Sequence, residues 1–118
     1  MSRSVLLQLA RDSIAEVLQA QRTIDKHTLL KTHPLLNEKI ATTVNIYLDD
    51  KLRGSFSSKN NTKTLLESII YNAKKSAFED KNFTPLTTYE YLKCEIELIL
   101  DTKDGIMSEK DPAILQGE

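Results

Sequence analysis

Thr43-Val44-Asn45-Ile46-Tyr47-Leu48-Asp49-Asp50-Lys51-Leu52-Arg53-Gly54-Ser55-Phe56-Ser57 is the stretch on which the fold turns. Val44, Ile46 and Leu48 alternate with Thr43, Asn45 and Tyr47. Beyond the polar Asp49-Asp50-Lys51, Leu52, Gly54 and Phe56 alternate with Arg53, Ser55 and Ser57. A period of two is that of a strand, and two such runs around a short polar turn predict a β-hairpin over residues 41–57. A three-residue loop sets Leu48 opposite Leu52, Ile46 opposite Gly54 and Val44 opposite Phe56. One face of the hairpin is then apolar. The other carries Tyr47 near Arg53, Asn45 near Ser55 and Thr43 near Ser57.

Working outward, residues 4–21 read as an amphipathic helix. Leu6, Ala10, Ile14 and Val17 share a stripe at about 100° per residue, with Leu7, Leu9 and Leu18 beside it. Residues 22–40 lack a clean period, and His33-Pro34 argues against a continuous helix there, because the residue before proline avoids the helical region. Downstream, Ser57–Lys63 is a polar loop. Thr64-x-x-Glu67 resembles a capping box opening a helix to about Phe78, whose apolar face holds Leu65, Leu66, Ile69, Ile70, Ala73 and Ala77. Residues 82–88 read as a loop. Residues 91–100 read as a strand, with Leu92, Cys94, Ile96, Leu98 and Leu100 alternating against Lys93, Glu95 and Glu97. After the turn at 102–105 the few apolar anchors predict a loosely ordered end. Helix, hairpin, helix and strand in that order make an α+β fold: an antiparallel sheet with two amphipathic helices on one face.

The 118 residues suit one domain with one core. A net charge of -1 leaves no basic field to hold nucleic acid or an anionic membrane. The single cysteine excludes an internal disulfide and any multi-cysteine metal site. No apolar run approaches the ~20 residues of a membrane span, and no signal-like stretch opens the chain, so a cytoplasmic location is expected. Asn60-Asn61-Thr62 and Asn82-Phe83-Thr84 match the glycosylation triplet, but without a secretory signal they read as exposed polar loops.

Among chemistry-bearing residues, Cys94 sits on an apolar strand face and reads as a buried structural thiol. His27 and His33 lack the converging partners a metal needs, and neither metal nor cofactor is expected. Lys74, Lys75 and Lys81 form a small basic patch of the kind that suits a helix C-terminus. Glu95 and Glu97 share one strand face; they form an acid/base pair if burial or repulsion splits their titrations, and otherwise a solvated pair of charges. The polar hairpin face is the sharpest feature. Asn45, Tyr47 and Ser55 offer hydrogen bonds, Arg53 offers a fork that grips a carboxylate or phosphate, and Gly54 permits close approach to the backbone.

Leu52-Arg53-Gly54-Ser55-Phe56-Ser57 resembles the Leu-Arg-Gly-Cys-Ile-Gly signature of the AMMECR domain family. Asn72-Ala73, Ala77-Phe78, Asp80 and Phe83-Thr84-Pro85-Leu86 resemble its second stretch. Leu92, Glu95, Ile96 and Leu98 resemble its Leu-x-x-Glu-Ile-x-Leu strand, and the opening helix from Leu9-Ala10-Arg11 is similar to the family's start. The signature cysteine and second glycine are replaced by Ser55 and Ser57, so a binding role carries over better than a covalent one. The resemblance implies a single domain over residues 1–118, C-terminally incomplete against a family pattern that runs on past Ile106. It implies no established activity. It also implies partners: bacterial and archaeal members are component A of the AmmeMemoRadiSam system, beside a Memo-like protein and a radical-SAM enzyme.

The expected function is therefore a binding or accessory module that uses the face around Arg53, Gly54 and Ser55, with Asn45 and Tyr47, for an anionic ligand or a protein partner. Two rivals stand beside it. One is an enzyme with a cleft near Ser55 and Glu95/Glu97. The other is a structural subunit that associates through an exposed sheet edge.

Overall fold

The elements were obtained from a computed structural model that describes residues 3–58 and 62–115. The first helix, α1, spans Val5–Gln19; Ser4 caps its N-terminus by accepting from the Leu7 amide, and Ala20, in the left-handed region, closes its end. Leu7, Leu9, Ala10 and Ile14 are buried, as expected. Val17 is exposed, and Arg11 is buried. Residues 22–40 contain a short helix α2 (Lys26–Thr32), capped by Asp25, then a 3-10 turn at Pro34–Asn37 that drops Leu36 into the core.

The hairpin is present as β1 (Ala41–Leu48) and β2 (Lys51–Ser57), with two corrections to its tip. The turn has two residues: Asp49 and Asp50 both adopt positive φ, the mirror-image turn whose twist matches that of paired strands. Leu48 therefore faces Lys51, and Tyr47 faces Leu52 rather than Arg53. A β-bulge then absorbs Arg53, and the predicted register resumes with Ile46 opposite Gly54, Asn45 opposite Ser55 and Val44 opposite Phe56.

Helix α3 spans Leu65–Phe78, capped by Thr64. Residues expected to be loop and early strand form a further short helix, α4 (Thr88–Lys93), held by a capping box between Thr87 and Glu90. Strand β3 begins only at Glu95 and runs to Thr102, and the end expected to be loose forms a fourth strand, β4 (Gly105–Asp111). The Asn60-Asn61-Thr62 triplet lies largely outside the described residues.

The four strands form one antiparallel sheet in the order β2-β1-β3-β4. Helices α1 and α3 pack on one face of it and on each other. Val44, Ile46, Ile96, Leu98 and Leu100 meet Ala10, Ile14, Leu66, Ile69 and Ala73 in a continuous core. The opposite face of the sheet carries mostly polar side chains, with Ile99 and Ile106 among them, an arrangement an antiparallel sheet permits. No helix among the described residues is long and apolar enough to cross a membrane.

Candidate functional site

On that open face the hairpin's polar residues are joined to β3. Ser55 Oγ donates to Asn45 Oδ1 at 2.6 Å, Asn45 Nδ2 donates to Glu97 Oε1 at 3.0 Å, and Tyr47 Oη donates to the same oxygen at 2.9 Å. Pairing of β1 with β3 sets Asn45 beside Glu97 and Tyr47 beside Glu95, so strand register alone assembles this chain of bonds. The bond to the Glu97 carboxylate is the largest cause holding the Tyr47 phenol above its ordinary pKa. Lys110 of β4 lies over the Tyr47 ring at 4.7 Å and pairs with Glu95 at 3.2 Å. Glu95 and Glu97 thus have separate partners: Lys110 for Glu95, Asn45 and Tyr47 for Glu97. The hydroxyl of Ser55 meets an amide oxygen, not a base that would activate it.

Arg53 stands apart from this network. It is the residue that the bulge leaves without a partner on β1, and it is 9% exposed. Its Nε and Nη2 grip Glu90 bidentately at 3.0 and 2.9 Å, and Nη2 also reaches Thr84 O at 2.8 Å. The guanidinium lies 5.4 Å from the centre of the Phe83 ring. Hydrogen bonding from Arg53 is the foremost reason that the Glu90 carboxyl titrates below its usual range. Only Nη1, buried, has no hydrogen-bond partner.

Gly54 faces the helices. A Cβ built on it would run into the Ser76 carbonyl of α3, so the group that approaches this backbone is the helix itself. The Ser55 amide donates to Asp80 Oδ2 at 3.0 Å, tying the β2 edge to the segment after α3. The structure therefore brings Asn45, Tyr47 and Ser55 together with Glu97, and sets Arg53 against Glu90 and Thr84 and Gly54 against Ser76.

Sequence reasoning missed the partners that make this so. Glu90 had a readable signal in Thr87-x-x-Glu90, the same capping pattern noted at Thr64. Asp80 had none, since an acceptor for an edge amide has no sequence pattern. Arg11 was also missed as a buried group: fully covered, it donates to Asp111, Tyr91 O, Cys94 Sγ, Cys94 O and Pro112 O. Cys94 is buried as expected, and that burial raises its thiol pKa.

A family model described as AMMECR1 matches residues 7–111. The chain belongs to the AMMECR1 family. Among solved structures it is similar to an uncharacterized protein, PH0010, from Pyrococcus horikoshii, at 28% identity and a TM-score of 0.72. That likeness covers 80% of this chain and 48% of the other, so the AMMECR1-type chain described here spans about half the length of that relative. A comparison with curated proteins finds no match.

Proposed function

We propose that this AMMECR1-type chain is a binding module that engages a protein partner through the open sheet face, with Asn45, Tyr47 and Ser55 in contact. The observation that carries the reading is the hydrogen-bond chain from Ser55 through Asn45 to Glu97 and Tyr47. Four polar side chains on an uncovered face are held in fixed positions by one another rather than each being solvated separately. A surface ordered before binding loses less entropy on complex formation. The partners are the Memo-like protein and the radical-SAM enzyme that the family resemblance implies. The test is calorimetric titration of the purified chain against each. Tyr47→Ala and Asn45→Ala should weaken binding by about tenfold or more while far-UV dichroism stays unchanged, and Lys31→Ala on α2 should have no effect. Unaltered affinity in both face variants, or no binding by either protein, overturns the reading.

A small anionic ligand at Arg53 is a second reading, favoured by one observation. Arg53 Nη1 is a buried donor without an acceptor, and such a group is a standing cost that a carboxylate or phosphate oxygen would remove. Titration with acetate and inorganic phosphate, followed through the Arg53 side-chain N–H resonances, should shift them saturably. No shift refutes it.

A further inference from the structure

The two edges of the sheet are treated differently. The β2 edge is closed by Asp80, which takes the Ser55 amide, and by the segment that Arg53 holds through Thr84 and Glu90. Among the described residues, no such cover lies on the β4 edge. Its exposed end presents Ile106 at 73% and Met107 at 56% exposure, on opposite faces of one strand. Residues 112–115 are held against α1 and α4 instead, because Arg11 holds Pro112 O and the Leu115 amide donates to Leu92 O.

Which backbone groups of β4 are free follows from the sheet's alternation. Ser58 donates to Thr42 O, so Thr42, Val44 and Ile46 spend their backbone groups on β2 and their odd-numbered neighbours bond β3. Glu95, Glu97 and Ile99 are thereby used toward β1, and Ile96, Leu98 and Leu100 bond Asp111, Glu109 and Met107. Ile106, Ser108 and Lys110 are left with N–H and C=O directed outward.

We infer that β4 pairs antiparallel with β4 of a second copy of this chain, about a two-fold axis at Met107. Only registers that set outward-facing residues against one another let both edges bond. An axis at Ser108 would oppose Met107 to Glu109 and Ile106 to Lys110, a charge against each apolar side chain. An axis at Glu109 would oppose two like charges. The axis at Met107 opposes Met107 to Met107, Ile106 to Ser108, and Asp104 to Lys110, which puts apolar contact at the centre and opposite charges at both ends. The pairs between Ile106 and Ser108 exchange both backbone hydrogen bonds on either side of the axis. This pairing touches the open-face reading only through Lys110, which lies over the Tyr47 ring; Ile106, Met107, Ser108 and Asp104 are separate from Asn45, Tyr47 and Ser55.

Sedimentation analysis over a wide concentration range should show the mass rising from 13.4 kDa toward two chains. Ser108→Pro removes an outward N–H and no bond to β3, so it should hold the protein monomeric with its fold intact. Asp104→Lys should weaken the dimer by setting a like charge against Lys110 of the second copy. Residues at the axis of a non-bonded pair lie within disulfide reach, so Met107→Cys should cross-link readily on mild oxidation while Ser108→Cys does not. A strict monomer at every concentration overturns the proposal, as does cross-linking of Ser108→Cys in preference to Met107→Cys.

Discussion

Replacing Arg11 by methionine should destabilise the protein more than any other single side-chain change on α1. Arg11 is wholly buried, and its Nε donates to Asp111 Oδ2 at 2.5 Å. Nη1 serves Tyr91 O at 3.0 Å and Cys94 Sγ at 3.6 Å, and Nη2 serves Cys94 O at 2.8 Å and Pro112 O at 3.0 Å. Every N–H of the guanidinium is thus used. Methionine fills much of the space but leaves Asp111, itself 3% exposed, with Arg3 as its remaining cation, and it leaves three carbonyls without this donor. Breaking a buried ion pair from one side costs about 3–5 kcal/mol, chiefly because the abandoned charge stays buried. Against a total stability of roughly 5–15 kcal/mol for a small domain, that is a large fraction. At a urea slope of about 1.5 kcal/mol/M, the midpoint should fall by about 2–3 M. Adding Asp111→Asn to Arg11→Met should recover part of the loss, because the uncompensated charge is then gone. A midpoint shift corresponding to less than about 1 kcal/mol would mean that water reaches Asp111 in the variant, and the account of Arg11 as the tie between α1, α4 and β4 would fail.

Gly54→Ala should destabilise by about 1–3 kcal/mol or more, since its Cβ meets a helix carbonyl that cannot rotate away, and chemical denaturation measures this directly. A loss near zero would show that α3 slides freely over β2. The Arg53–Glu90 pair predicts a pH dependence. With its folded pKa below the ordinary value of 4.5, Glu90 contributes stability that is present above that value and lost as pH falls through the folded pKa. The gap in stability between the wild type and Glu90→Gln should therefore be widest near neutrality and close under acid; a gap constant from pH 7 to pH 2 contradicts the assignment.

The hairpin, α1, α3 and the core run of β3 were legible because each is a long periodic segment with one buried face. Cys94, Ile96, Leu98 and Leu100 alternate cleanly and are all buried. The tip of the hairpin was misread by one residue, because two aspartates at positive φ do what the more permissive glycine or asparagine usually does, and the bulge hides the difference from Ile46 onward. Strand β4 was invisible for a physical reason: four of its first residues are exposed, and it is a strand because β3 offers it a ladder, not because its side chains alternate. Helix α4 is too short for periodicity and owes its start to Thr87 and Glu90. On the candidate site, Asn45, Tyr47 and Ser55 were placed correctly on one face. Arg53 was not, since a bulge reassigns a side chain without leaving a mark in the alternation.

That reassignment changes what the family resemblance means for function. The signature around Leu52-Arg53-Gly54-Ser55 and the second stretch from Asn72 to Leu86 are far apart in sequence, yet they meet along the β2 edge. Gly54 lies against Ser76, the Ser55 amide is taken by Asp80, and Arg53 covers Phe83 and holds Thr84 O. Asn72 extends the same seam by donating to Thr42 O at 2.8 Å, and the Leu86 amide closes it on Ala77 O at 2.8 Å. The residues that make the two motifs recognisable are in large part those that dock α3 and the following segment onto the hairpin. Their presence therefore specifies a way of closing one sheet edge. The partner surface proposed above lies outside those contacts, on the open face from Ser55 to Tyr47 and Glu97.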